Sequence, residues 1–281
     1  MLEEAVPVSD LTPPVSALLG QFSEIVTGLV TEAFGGTWAD NEEFIVLSEL
    51  ALGNQATTRE LTSSASMARH VLHHLIDRLR RDGLVSTAPS QFDGRAVAVE
   101  LTPRGRLQAQ ALRASLHESF QDLQGLARAV LRGLDAPPRP QRRGGQPTDP
   151  LAVLGLTGRV GQDLGASVRA LDLPDVTGRR RITLVQIAAT ENIRPRDVSQ
   201  AQATYRQSTA YVIDQLVAEG LVSRHRGRVS DDARAVTLEV TDRGRQVVDG
   251  IEAVITRHRD ALVDLLSIVA AWPRSRPTGE A

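Results

Sequence analysis

Arg69, His70, His73 and His74 stand within one short stretch, and their side chains suit recognition of an anionic or hydrogen-bonding partner. A guanidinium donates in a rigid fork to phosphate or to a base edge, and imidazole donates or accepts as its protonation dictates. A second group, Arg206, Gln207, Ala210 and Tyr211, repeats the same spacing 137 positions later. His70 and His74 are one helical turn apart and could share a metal ion. With no cysteine in the chain and no clear third ligand, the expectation is no metal and no cofactor. The series Gly155, Gly158, Gly161, Gly165 has neither dinucleotide-binding nor P-loop spacing. No nucleophile, histidine and carboxylate arrangement is legible either, so the chain is not expected to be an enzyme.

Those side chains need helices to carry them. Val15, Leu18, Leu19, Phe22, Ile25, Val26, Leu29 and Val30 recur at helical spacing and predict an amphipathic opening helix. Phe44, Leu47, Leu50 and Ala51 predict a second, stopped at Gly53-Asn54. Thr57 and Glu60 read as a capping box opening a third. Ser66 is the expected cap of a fourth, whose inner face is Leu72, Leu75, Ile76 and Leu79, leaving Arg69, His70, His73 and His74 outside. After Gly83, a hairpin of Leu84–Ala88 and the alternating Val97, Val99 and Leu101 follows. Thr102-Pro103 then caps a long helix with Leu112, Leu116, Phe120, Leu123, Ala127 and Val130 on one side.

This pattern occurs twice. Ile76–Ser86 aligns with Ile213–Ser223 at seven of eleven positions, and the stretch Asp93–Arg106 aligns with Asp232–Arg245. In the second copy Leu184, Ile187 and Ala188 mark the second helix and Pro195 opens the third. Its hairpin is more basic, with Arg224, His225, Arg226 and Arg228. Its opening helix is weaker, because each of its four glycines costs roughly 1 kcal/mol against alanine. Close helix packing would compensate; a broken helix is the alternative. The expected domains are 11–134 and 151–272, joined by a Pro/Gly/Arg linker over 135–150 and followed by a flexible tail over 273–281. The expected fold class is mainly α with small β wings, an α+β arrangement.

The formal net charge is −2, and every one of the 32 Lys+Arg residues is arginine. Attraction to nucleic acid must therefore come from local clusters. The acidic start and the lack of a long apolar run predict no membrane segment and a cytoplasmic location.

A helix ending in Ile-Asp-x-Leu-x-x-x-Gly-Leu-Val, a wing with Asp-x-Arg and a strand running into Thr-x-x-Gly resemble the MarR family of winged helix-turn-helix transcriptional regulators, twice in one chain. The resemblance implies two winged helix-turn-helix domains whose long terminal helices form an intramolecular pseudo-dimer, with the fourth helix of each in a major groove. Arg69, His70, His73, His74, Arg206, Gln207, Ala210 and Tyr211 become candidate DNA contacts. Arg95 and Arg234 become wing arginines oriented by Asp93 and Asp232, with Arg226 and Arg228 beside them. The implied partner is double-stranded DNA with an imperfect palindromic operator, since the two reading faces differ. The implied role is a repressor released by a small apolar or phenolic effector, for which Phe22, Phe34, Trp38 and Phe44 are the candidate pocket. The alternative is a protein-interaction module that keeps the fold but has lost one or both DNA faces.

Overall fold

The computed structural model describes residues 13–34, 41–53, 55–90, 96–140, 149–171, 173–174, 176, 178–201, 206–226 and 235–273. The opening helix α1 (Val15–Phe34) forms as its periodicity requires. Leu18, Phe22, Val26 and Val30 are buried, while Ile25, expected inside, is 43% exposed. Next come α2 (Asn41–Gly53), β1 (Gln55–Thr57) and α3 (Thr58–Ser64). The capping box is present: Glu60 N–H donates to Thr57 Oγ1 at 3.2 Å, and Thr57 N–H donates to Glu60 Oε2 at 2.7 Å. That backbone N–H, aided by the Thr57 hydroxyl, holds the Glu60 carboxyl below its usual range.

Helix α4 (Arg69–Arg81), strands β2 (Val85–Pro89) and β3 (Val97–Leu101), and helices α5 (Pro103–Asp122) and α6 (Gln124–Gly133) complete the first copy. Leu112, Leu116, Phe120, Leu123, Ala127 and Val130 are all buried, although the one long helix expected here is two, broken at Leu123. Strand β1 was not legible. It pairs antiparallel with β3, placing Ala56 opposite Val99, in a sheet of order β1-β3-β2. Its pairing ends at Ala98, and Val97, expected inside, lies beyond it at 41% exposed. Helices, a helix-turn-helix and a β hairpin in this order make a winged helix-turn-helix, an α+β arrangement.

The second copy comprises α7 (Pro150–Arg169), α8 (Gly178–Ala189), α9 (Pro195–Ala201), α10 (Arg206–Ala218), β4 (Val222–Arg226), β5 (Val236–Val240), α11 (Asp242–Arg257) and α12 (Arg259–Ala270). Its third strand shrinks to one bridge, Ile193 opposite Leu238. Its α9 keeps half a capping box: Arg194 N–H donates to Asp197 Oδ2 at 3.2 Å, but arginine at the cap offers no acceptor in return.

The chain forms two compact units, and they cut across the two sequence copies. One takes in Met1–Gln21 and Leu171–Ile255, with the second wing; the other takes in Phe22–Ala170 and Thr256–Ala281, with the first wing. In the first-wing unit α7 packs along α2. The reason is visible in both helices. Phe44, Ile45, Val46, Leu47 and Leu50 are buried, so α2 is apolar on more than one face. Helix α7 meets it with glycines: a Cβ on Gly155 would stand 2.4 Å from Ser48 Oγ, and one on Gly158 would stand 2.5 Å from the Asn41 carbonyl oxygen. Close packing is thus the compensation for Gly155, Gly158 and Gly161, and α7 is unbroken. In the second-wing unit the start of α1 makes a similar approach, a Cβ on Gly20 standing 2.6 Å from Ile182.

The stretch read as the start of a linker is held in the first-wing unit. Arg139 N–H donates to Ser267 Oγ at 2.9 Å and its guanidinium pairs with Asp260 and Asp264, while Arg259 donates to the carbonyls of Leu134 and Asp135. Residues 141–148 and the expected tail beyond Pro273 lie outside the described residues. Among the described residues no helix is long and apolar enough to cross a membrane.

Candidate nucleic-acid interface

Leu72, Leu75, Ile76 and Leu79 seat α4 on the first winged motif. Arg69, His70, His73 and His74 are all exposed on its other side, with Val71 at 44% among them. One sequence expectation needs correcting. Ser66 does not cap this helix: it takes a left-handed φ of 46° inside the turn, and the N-cap is Ala68, whose side chain makes no capping bond. The chain makes that left-handed turn two residues before the N-cap Ala68, so the hydroxyl is displaced from the cap. Among the described residues the first-turn N–H groups of α4 therefore receive no side-chain cap, a local positive end beside Arg69.

In α10, Ile213 and Leu216 are buried, while Ala210 is exposed and Tyr211 is 65% exposed. Arg206 and Gln207 occupy its first turn, and their side chains lie outside the described residues. The first hairpin is closed by Ser90 N–H donating to Ala96 O at 2.8 Å. Asp93 and Arg95 lie outside the described residues, as do Arg228, Asp232 and Arg234 of the second. The basic residues of β4 are less free than their types suggest. Arg224 pairs with Asp214 of α10, and His225 Nε2 lies 3.1 Å from Glu239 and 2.9 Å from Ser223 Oγ. Arg226 is exposed.

The shared motif residues build a clasp between the end of α4 or α10 and the hairpin that follows it. Gly83 and Gly220, at φ of 70° and 71°, end α4 and α10 in the left-handed conformation glycine tolerates. Thr102 Oγ1 donates to Gly83 O at 2.7 Å and accepts from Gly105 N–H at 3.0 Å; Thr241 does the same between Gly220 and Gly244, at 2.7 and 3.1 Å. A Cβ on Gly105 would stand 2.0 Å from Leu84 O, and one on Gly244 2.1 Å from Leu221 O. Thr-x-x-Gly is therefore a structural clasp, and it is made identically in each unit.

A second link was missed in the sequence. Arg78 Nη2 of α4 reaches Glu43 of α2 at 2.9 Å, and Arg180 of α8 pairs with Glu219 just beyond α10. Position 180 is the repeat counterpart of position 43, while Glu219 is the counterpart of Asp82 and Arg78 of Gln215, so the two bridges share one position with its charge reversed. Each arginine uses one arm and buries its Nε–H without a hydrogen-bond partner among the described residues. Nothing local in the sequence marks either pair, since their members stand 35 and 39 positions apart. Side chains 15% and 27% exposed at the first bridge place it between a surface pair and a buried one. Glu43→Arg is expected to lower stability by about 2 kcal/mol, and adding Arg78→Glu to recover most of that loss, in a double-mutant cycle of urea midpoints.

Comparison with known proteins adds the following. No family model and no curated protein matches the chain. Among solved structures, a probable transcriptional regulator from Pseudomonas aeruginosa is similar at 25% identity, covering 42% of this chain and 90% of its own, with a TM-score of 0.33. A mutant MarR from E. coli is 22% identical over 46% of this chain and 86% of its own, with a TM-score of 0.32. The heme sensor protein PefR from Streptococcus agalactiae, in complex with heme, is 16% identical over 41% of this chain and 87% of its own, with a TM-score of 0.27.

Of the aromatic residues expected to line an effector pocket, Phe22, Phe34 and Phe44 are buried, at 3%, 3% and 1% exposed, and Trp38 lies outside the described residues. A cleft of about 290 Å³ lies elsewhere, in the second-wing unit, lined by Ile187, Thr190, Glu191, Asn192, Leu238 and Arg245 among others. Its lining includes Asn192, the repeat counterpart of Gln55 in β1. Asn192, at a φ of 53°, turns the chain there and only Ile193 bridges to β5.

Proposed function

We propose that this chain is a sequence-specific DNA-binding transcriptional regulator of the MarR type that carries two reading helices, α4 and α10, in one polypeptide. The observation that carries the reading is the exposed face of α4. Arg69 and three imidazoles stand over an apolar seam, at the uncapped start of the second helix of a helix-turn-helix that a clasp ties to its wing. Arginine recognises guanine O6 and N7 bidentately, and a wing arginine in a narrow minor groove meets enhanced negative potential. In this reading Arg69, His70, His73 and His74 read one half-site, and Arg206, Gln207, Ala210 and Tyr211 the other. Arg95, Arg226, Arg228 and Arg234 follow the backbone and minor groove, with Asp93 and Asp232 orienting the wing arginines. Because the two faces differ in chemistry, the operator is an imperfect palindrome with half-sites about one helical turn apart. A single chain then acts as a pseudo-dimer. A repressor role with release by a small apolar ligand is the finer form of the proposal; such coupling is typically about 1–3 kcal/mol.

The test is an anisotropy titration against the DNA flanking the protein's own gene at two salt concentrations, for wild type, Arg95→Ala and Arg234→Ala. The expected result is specific binding that weakens steeply with salt and falls in each variant, by unequal amounts. Binding that neither salt nor either substitution changes would sink the reading and favour a protein-interaction module.

A further inference from the structure

We infer that the first reading helix is a pH-graded DNA contact: protonation of His70, His73 and His74 strengthens its grip on DNA, so that acid shifts the weight of binding toward the first half-site. The inference rests on the DNA-binding reading above and adds its regulation. Three imidazoles occupy the exposed face of α4 within its first two turns, beside Arg69 and the uncapped helix start. Among the described residues none of the three has a hydrogen-bond or ion-pair partner, whereas the imidazole of the second wing, His225, faces Glu239 and Ser223.

The surrounding charges do not compensate them. On α4 itself, Asp77 lies 3.6 Å from Arg80, and Arg78 is committed to Glu43. Among the elements packed on α4, α3 carries Arg59 and Glu60, the latter held by Thr57; β2 carries no ionisable side chain. On α2, Glu43 is taken by Arg78 and Glu49 accepts from Ser64, leaving Glu42 in its first turn.

Histidine is the side chain whose charge ordinarily changes between pH 5 and 8. A neutral face therefore carries one positive charge, from Arg69, and a fully protonated one carries four. Cationic donors in the major groove meet phosphates and the guanine O6 and N7 acceptors, so DNA binds the protonated face more tightly and affinity rises as pH falls. The equivalent face of α10, with Arg206, Gln207, Ala210 and Tyr211, carries no histidine. The two half-sites thus respond differently to the same change.

The experiment uses the full chain and a fluorescein-labelled mixed-sequence duplex about four helical turns long, titrated at low salt from about pH 8 to about pH 6. Wild type is expected to gain about tenfold or more in affinity, equivalent to about 1.4 kcal/mol. Its log–log salt slope is expected to steepen by about 0.9 for each imidazolium that meets a phosphate. The variant His70→Asn/His73→Asn/His74→Asn is expected to bind with little pH dependence, while His225→Asn keeps the gain. Circular dichroism at both pH values checks that each variant is folded. A wild-type affinity that does not change with pH overturns the inference and leaves the DNA reading standing, as does a gain that survives the triple substitution. Absence of binding at both pH values overturns the two together.

Discussion

Replacing Gly105 or Gly244 with alanine is expected to destabilise the chain by about 3 kcal/mol, in spite of the roughly 1 kcal/mol that alanine gains over glycine inside a helix. The cause is a backbone atom. The new Cβ would stand 2.0 Å from Leu84 O in one case and 2.1 Å from Leu221 O in the other. Neither carbonyl is free to retreat, since each accepts a backbone N–H at 3.0 Å, from Thr102 and Thr241 respectively. The helix must therefore move away by about 1 Å, enough to break the threonine hydroxyl bonds of the clasp, at about 1 kcal/mol each. Because the clasp holds the reading helix to its wing, DNA affinity is expected to fall along with the urea midpoint. A loss below about 1 kcal/mol at both sites would show that α5 and α11 slide without resistance and that the clasp is not what orders the wing.

The clasp also shows which parts of this molecule were legible in its sequence. Glycine and threonine at fixed offsets, repeated 137 and 139 positions later, mark a helix stop and a helix cap in each copy, while the bond that joins them was not legible. Helix periods and the Thr57 capping box were equally readable, because each depends on residues three or four apart. What escaped were arrangements set by residues far apart in the chain. Strand β1 is three residues long and exists because β3 offers it an edge. The Glu43–Arg78 bridge spans 35 positions. Val97 and Ile25 are apolar at core spacing yet exposed, since period says which face a residue shares and not whether anything covers that face. Ser66 failed as a cap for a local reason: residue type proposes a cap, but the turn's backbone decides which residue stands at it. At the candidate interface, the exposed face of α4 followed directly from its amphipathic period, whereas the engagement of Arg224 and His225 within their own unit did not.

The same limit applied to α7, whose glycines were ambiguous in sequence, and here substitution at two of them is expected to have opposite signs. Gly158→Leu should lower stability by about 3 kcal/mol or more, because its Cβ would lie 2.5 Å from Asn41 O, 2.9 Å from Ile45 and 3.0 Å from Phe44, so that α2 and α7 must separate. Separation exposes an α2 face that includes some of the most deeply buried side chains of the first-wing unit, Phe44, Ile45 and Leu47. Gly165→Ala, on the same helix, meets only the end of the Arg169 side chain at 3.3 Å. A flexible guanidinium can give way, so helix propensity dominates and the substitution should stabilise by about 0.5–1 kcal/mol. Urea denaturation of the two variants beside wild type reads both signs at once. Equal stabilisation at both positions would mean that α7 is only a helix weakened by glycine. A loss at Gly158 with a gain at Gly165 would mean that Gly158 is required by contact with α2, the helix of the other copy, and that Gly165 is not.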